Sequence, residues 1–337
     1  MEGRLHAAII GSGGMAHARA SHLAQIVRAT ISCVSSRNHV TGQALAERYG
    51  VPFVERWPEA IARDDVQAVF VATHNDSHAT IAAAALEAGK HAFVEYPLAM
   101  QVADADHLLA LARQKGLVLH VGHDHALVGW HLAIKEALAP LGPLLAVNGI
   151  LATPSRGGSR SVWRNRLLSG PPFLVGIAYV YHLLDLFGSF EWVEGTTIYE
   201  GLDDAGYYRS SVSTLTGAFA GGGVAQLLYI RGFAVPRDEQ EQAMMFRSGF
   251  LSYRGYVSGS RTNEGQLTRV TRAGPQQIPF PQITLAQASR QNTEHFVAEV
   301  LDGEPVFPDV RLAREAVAVA RAAEQAAEEG VRIQLAR

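Results

Sequence analysis

The sequence predicts a two-domain α/β protein. A doubly wound parallel sheet is expected over residues 1–122, and an α/β domain with a large, mostly antiparallel open sheet over residues 123–337. Three observations carry this. Short apolar runs alternate with helical periodicity through the first third of the chain. A glycine turn, Gly11-Ser12-Gly13-Gly14-Met15-Ala16, joins the first apolar run to the first helix. Further on, the runs lengthen and glycine and proline separate them. A length of 337 residues is also too great for one small core.

In order, strands are expected at 6–10, 30–34, 51–54, 68–72, 91–94 and 117–121, with helices at 17–27, 40–49, 57–62, 78–88 and 102–115. Apolar strands of about five residues that alternate with helices imply a parallel sheet covered on both faces. A helix at 130–138 opens the second domain, followed by alternating runs at 145–152, 193–199, 212–219, 224–230 and 242–246. Such alternation suits an antiparallel sheet with one face on helices and the other left for solvent or a partner. Gly221-Gly222-Gly223 marks a hairpin, and the Gly/Ser/Arg-rich loop 156–160 is a candidate mobile segment. Helices at 292–301 and 310–328 close the chain, placed so that they could pack back on the first domain.

The bulk chemistry narrows the function. A net charge of -3 supplies no electrostatic reason for nucleic acid or an anionic membrane as partner. The one cysteine, Cys33, rules out an intrachain disulfide and a cysteine metal cluster. No run approaches the roughly 20 apolar residues of a membrane span, so a cytoplasmic location is expected. Lysine occurs only at 90, 115 and 135. Any proton-transfer group beyond residue 135 is therefore His, Tyr, Asp or Glu, because arginine stays protonated.

The G-x-G-x-x-A turn predicts a dinucleotide. Gly11, Gly13 and Gly14 let the backbone approach a pyrophosphate, and Met15 opens the helix whose N-terminus faces it. At the end of the second strand, where an acid would bind the ribose of NAD, stand Ser35-Ser36-Arg37-Asn38. Hydroxyls and an arginine without a carboxylate favour NADP, with NAD as the second choice. Two polar loops follow later strands, Ala72-Thr73-His74-Asn75-Asp76-Ser77-His78 and Val121-Gly122-His123-Asp124-His125, and Val94-Glu95-Tyr96-Pro97-Leu98-Ala99 lies between them. Strand C-termini are where ligands bind in doubly wound sheets. Thr73, Asn75, His78 and Glu95 are accordingly assigned to the cofactor and His123 to the substrate. His123 and His125 flank an aspartate, but no further spaced ligand accompanies them, so no metal is assigned. Tyr96-Pro97 is a candidate cis peptide. Arg164 is either a fork for a carboxylate or phosphate or a structural arginine.

GSGGMA, ATHNDSH, AGKHAFVEYPLA and VGHDH together resemble the successive signatures of the Gfo/Idh/MocA oxidoreductases. The likeness continues through Ser161-Val162-Trp163-Arg164, His182-Leu183-Leu184-Asp185 and the closing helices. It implies a Rossmann domain, a nicotinamide facing the second domain, and homo-dimers or homo-tetramers formed through the outer face of the second sheet. It also implies hydride transfer coupled to proton transfer, commonly on sugars and polyols, by the lysine of E-K-P and the histidine of H-x-x-D. His182 and Asp185 match the second motif and, three apart on a helix, share one face. Tyr96 takes the place of the lysine, His74 that of a proline, and Ala178 that of an aspartate common in the family. E-Y-P is the form carried by the family's biliverdin reductases, and residues 91–121 resemble their cyanobacterial type, in which an arginine stands where His182 is here. The sequence thus sets three readings side by side. They are a sugar or polyol oxidoreductase with His182 as proton shuttle, a double-bond reductase using Tyr96, and a non-catalytic NADP sensor.

Overall fold

The computed structural model describes residues 3–154, 160–233, 239–256 and 265–335; most of the 156–160 loop lies outside them. The chain divides into two compact units, Met1–Asp124 with Ser289–Arg314, and His125–Ala288 with Glu315–Arg337.

In the first unit, strands β1 (Leu5–Ile10), β2 (Ala29–Ser35), β3 (Phe53–Val54), β4 (Ala68–Val71), β5 (His91–Val94) and β6 (Leu119–Val121) form a sheet in the order β3-β2-β1-β4-β5-β6. All its pairings are parallel. Helices α1 (Gly14–Gln25), α2 (His39–Tyr49), α3 (Trp57–Ile61), α4 (His78–Glu87) and α5 (Val102–Lys115) connect the strands. This is the doubly wound order, with its strand reversal between β1 and β4. The strands are apolar because both faces are covered: β4 is buried along its whole length. Phe70, Phe93 and Phe296 form one aromatic core, Phe70 stacked on Phe93 at 4.8 Å and Phe296 edge-on to both. Asn38 starts α2 by accepting a hydrogen bond from the Thr41 amide.

The second unit contains α6 (Gly129–Leu138), β7 (Leu144–Pro154), α7 (Pro172–Val175), α8 (Ile177–Phe187), β8 (Phe190–Glu200), β9 (Ser210–Phe219), β10 (Val224–Phe233), β11 (Glu239–Phe246), β12 (Gly249–Tyr256), β13 (Gln266–Thr271) and β14 (Gly274–Gln277). Helices α9 (Leu285–Asp302) and α10 (Val310–Glu329) and strand β15 (Ile333–Gln334) end the chain. The sheet order among the described residues is β14-β13-β12-β11-β7-β10-β9-β8-β15, antiparallel except for β7 with β10. Helix α8 lies on the buried face. A Cβ at Gly149 would come within 1.8 Å of the Tyr179 hydroxyl, so only glycine lets α8 approach β7 this closely.

The expected open sheet is present, and it extends further than the sequence indicated. Strands β13 and β14 lack strong apolar alternation because they lie at the sheet edge, β13 largely half-buried and β14 mostly exposed, whereas β12 buries Leu251 and Tyr253 in alternation. The parallel β7–β10 pair follows from strand order, which a periodicity does not report. Helix α9 begins at Leu285, ahead of the expected start at 292.

Candidate functional site

On the first unit the parallel strands bring their carboxyl ends, and the loops leaving them, to one edge. Gly11 has φ +126°, and a Cβ there would lie 2.1 Å from the Ala72 carbonyl oxygen, so the turn after β1 passes the end of β4 only as glycine. Gly13 and Gly14 are exposed, and a Cβ at either would meet nothing within 4 Å. The first turn of α1 therefore opens onto unfilled space, as a pyrophosphate at a helix N-terminus requires. Met15 is partly buried against the core beneath.

At the end of β2, Ser12 Oγ lies 2.7 Å from both Ser36 Oγ and Thr41 Oγ1. Ser35 is buried, whereas Arg37 is exposed and donates to His74 Nδ1 at 3.4 Å. Ser77 donates to the Thr73 hydroxyl at 2.8 Å, and Asn75 is buried in the turn between them. His78 Nδ1 contacts the Pro97 carbonyl at 2.8 Å and Nε2 the Thr73 carbonyl at 3.3 Å, which ties the Thr73 loop to the VEYPLA turn. Burial lowers the pKa of His78, and a neutral ring has one N–H for these two carbonyl acceptors, of which Pro97 lies nearer. The Tyr96–Pro97 bond is cis. The Tyr96 ring is half-buried and stacks on His123, with centroids 5.3 Å apart and planes 7° from parallel.

Glu95 sits beneath this edge in a network that the sequence reading missed. Fully buried Arg19 donates from Nε to Glu95 at 2.6 Å and from Nη2 to Asp124 at 2.9 Å. Its Nη1 donates to the Ser289 carbonyl at 2.7 Å, and its guanidinium lies 4.5 Å over the Phe93 ring. Asn292 donates to Asp124 at 2.7 Å and accepts from His120, whose other nitrogen meets Glu299 at 2.7 Å. Burial and the neighbouring Asp124 raise the pKa of Glu95, while Arg19 opposes that rise. The signal for Arg19 was available: it occupies the buried face of α1 with Ala16, Ala20 and Leu23, where a charge demands buried partners.

On the second unit His182 is buried on α8, and its ring nitrogens face two protein partners. Nδ1 lies 2.5 Å from His131 Nδ1, and Nε2 lies 2.9 Å from Gln242 Oε1. His131 Nε2 donates to Asp185 at 2.7 Å, and Lys135 donates to the same carboxylate at 2.8 Å. Asp185 was expected to orient His182 directly; here it bonds His131 and Lys135, so its hydrogen-bonded link to His182 runs through His131, while its charge also acts on His182. Although 182 and 185 share a helix face, Asp185 bonds across to α6, where His131 and Lys135 stand one turn apart. Burial foremost, then His131, depresses the pKa of His182 well below the usual imidazole value. The Asp185 carboxyl is held at about 2 by hydrogen bonds from His131 and Lys135, against the opposing effect of burial. Trp130 and Tyr179 pack their rings against His182 at 5.0 and 6.1 Å. Arg164 is buried and donates to the Arg209 carbonyl at 3.1 Å.

The edge of the first unit fits a dinucleotide: an open glycine turn at a helix start, then hydroxyls and an exposed arginine at the end of β2. Among the described residues no group of three or more His, Cys, Asp and Glu side chains could hold a metal ion, and no helix is long and apolar enough to cross a membrane.

Comparison with known proteins agrees with this geometry. Residues 5–123 match the model of the Gfo/Idh/MocA oxidoreductase family with its NAD-binding Rossmann fold. The dTDP-3,4-didehydro-2,6-dideoxy-alpha-D-glucose 3-reductase of Streptomyces violaceoruber is 30% identical over 148 residues, 43% of each chain. Biliverdin reductase A of Mus musculus is 31% identical over 138 residues, 41% of this chain and 44% of that one. The chain thus spans less than half the length of these curated relatives. The crystal structure of biliverdin reductase from Synechocystis sp. PCC 6803, in complex with biliverdin and NADP+, superposes with a TM-score of 0.87 at 26% identity, over 96% of this chain and 99% of that one. Residues 5–123 thus match the NAD-binding Rossmann unit of the Gfo/Idh/MocA oxidoreductase family.

Proposed function

We propose that the protein is an NADP-preferring oxidoreductase acting on a hydroxyl/carbonyl pair of a sugar- or polyol-like substrate, with His182 as proton shuttle. The nicotinamide, when bound, exchanges the hydride. The carrying observation is the hydrogen-bonded chain that runs from buried His182 through His131 to the Asp185 carboxylate. Burial by itself disfavours a charge on His182, and the Asp185 carboxylate behind His131 is what can balance the proton gained; Nε2 becomes available to a substrate hydroxyl when the Gln242 contact yields. Gly11, Gly13, Gly14 and Met15 would hold the pyrophosphate, and Ser35, Ser36 and Arg37 the adenosine end, where 35–41 contains no carboxylate to repel a 2′-phosphate. Thr73, Asn75 and His78 shape the edge toward the nicotinamide. Glu95, held by Arg19, serves that end by fixing the turn that bears Tyr96. Tyr96, His123 and Arg164 are the proposed substrate contacts. The likeness to a dTDP-sugar 3-reductase supports the substrate class.

A second reading, reduction of a conjugated double bond in a tetrapyrrole, is favoured by Tyr96. Its ring is half-buried at the ligand edge, and hydrogen-bond donation suits a phenol. One experiment separates the two. NADPH oxidation is followed with biliverdin and with a panel of keto-sugars, for the wild type, Tyr96→Phe and His182→Ala. Turnover of a keto-sugar, lost in His182→Ala, supports the first reading. Turnover of biliverdin alone, lost in Tyr96→Phe, supports the second. Tight NADPH binding without any turnover would mark a sensor.

Assembly as a homo-dimer or homo-tetramer through the outer face of the large sheet belongs to the same proposal. Met245, Ala146 and Val224 form one cross-strand row on that face, with Ile150 and Ile198 further along it. Of these, Met245, Val224, Ile150 and Ile198 are exposed. An apolar face of this kind is a natural interface, and light scattering of the native protein tests it.

A further inference from the structure

We infer that His131 is a positioning residue that takes up the proton delivered to His182 and holds it beside Asp185, with Lys135 setting how tightly it is held. This rests on the reading of His182 as proton shuttle. The argument starts from donors and acceptors. The two Nδ1 atoms are 2.5 Å apart, so one proton lies between them: two lone pairs would repel and two N–H groups would clash. His131 Nε2 must donate, because its partner Asp185 is a carboxylate held at about 2.

Three arrangements satisfy these conditions; burial disfavours the one that leaves the cation on His182, which is passed through in transfer, and two remain. In the first, His182 donates from Nδ1 to His131, both rings are neutral, and His182 Nε2 is a lone pair. In the second, His131 donates from both nitrogens as an imidazolium beside Asp185, and His182 donates from Nε2. The two differ by one proton, the number a hydroxyl releases when it is oxidised. Starting from the first arrangement, His182 Nε2 receives the substrate proton and its Nδ1–H passes to His131 Nδ1. His182 ends neutral with its N–H moved to the other nitrogen, and the positive charge rests on His131 against Asp185. Carbonyl reduction runs the same transfer backwards.

Gln242 is suited to both arrangements. Its Oε1 accepts from His182 Nε2–H in the second, and rotation of the amide presents its Nε2–H₂ to the lone pair in the first. Gln242 Nε2 is buried without a partner among the described residues, so nothing in the described residues ties the amide to one orientation. The exit lies at Asp185: the Lys135 side chain is 48% exposed and bonds both carboxylate oxygens. His125, whose charge also bears on His182, together with the Tyr179 and Trp130 rings and Gln242, completes the surroundings.

The test uses histidine-labelled full-length protein and long-range 15N NMR, with no cofactor or substrate, so it does not depend on turnover. The expected result is that His131 and His182 nitrogens titrate together, in one step that takes up one proton. Lys135→Met, an exposed substitution, should raise the midpoint of that step by about half a pH unit or more, because it removes a positive charge next to Asp185. Separate titration of the two rings, or a midpoint unmoved by Lys135→Met, would overturn the inference. With a turned-over substrate, His131→Gln should lower kcat about tenfold or more, leave KM within about twofold, and flatten the acid limb of the kcat–pH profile, with partial rescue by added imidazole. An unchanged profile in His131→Gln, where His182→Ala is inactive, would also overturn it. Full turnover by His182→Ala would instead overturn the underlying reading, while the paired titration stands or falls by the NMR alone.

Discussion

Each unit buries a polar network at its candidate site, and the two are built from different chemistry. Under the ligand edge of the first unit, Arg19 is shared between Glu95 and Asp124 and anchored by the Ser289 carbonyl. Arginine does not give up its proton at any ordinary pH, so this network is anchored by one fixed cation that always donates. In the second unit, His131 and His182 can exchange donor and acceptor roles by moving protons, and Gln242 by rotating its amide. The first network suits a scaffold that sets the direction of Tyr96. The second suits groups that accept and release a proton. A buried network that fixes position and one that moves charge are thus distinguishable by whether their donors can become acceptors.

The largest expected effect is on the fixed network. Arg19→Met leaves Glu95 and Asp124 buried without their cation, and removal of one partner from a buried ion pair typically costs about 3–5 kcal/mol. Urea unfolding measures this, and a cost below that of His131→Gln would break the comparison. Gly11→Ala comes next. The strained φ and the close Ala72 carbonyl predict a loss of about 1–3 kcal/mol. NADPH affinity should fall with it, as isothermal titration would read.

Acid should sharpen the contrast. The pKa of His22 is lowered to about 4, chiefly by burial and then by Arg19, and those of His78, His91, His182 and His295 are also lowered. Below the unfolded value of about 6.5 the unfolded chain binds protons that these folded rings refuse. Stability therefore falls as pH drops from about 6.5 toward 4. Glu95, raised by burial, works in the opposite sense but is one group against five. A loss of at least about 1 kcal/mol, or ~2–4 °C in Tm, is expected over that window, and a flat Tm from pH 6.5 to 4.5 would contradict it. The smallest effect is on cofactor choice. Arg37→Glu should shift the NADP-to-NAD affinity ratio roughly tenfold toward NAD, about 1.4 kcal/mol, with stability little changed because Arg37 is exposed.

Much of this was legible in the sequence because it is local. The glycine turn, the alternation of short apolar strands with helices, and the polar loops after β4, β5 and β6 follow from residues near one another in the chain. His182 and Asp185 were visible as an H-x-x-D pair. Arg19 left a faint trace, a charge at a core position of α1. Their partners were not legible. His131 and Lys135 lie about fifty residues before their contacts with α8, and Gln242 sixty after His182.

The sequence by itself determined the doubly wound unit, its dinucleotide turn and the substitution of Tyr96 for a lysine, since periodicity, turn chemistry and motif spacing are carried by neighbours in the chain. Only the tertiary structure decided that Glu95 belongs to Arg19, that β7 and β10 pair in parallel, and that His131 stands between Asp185 and His182 in the hydrogen-bonded chain. Each depends on which elements pack together, and a hydrogen bond acts over about 3 Å however many residues separate its ends.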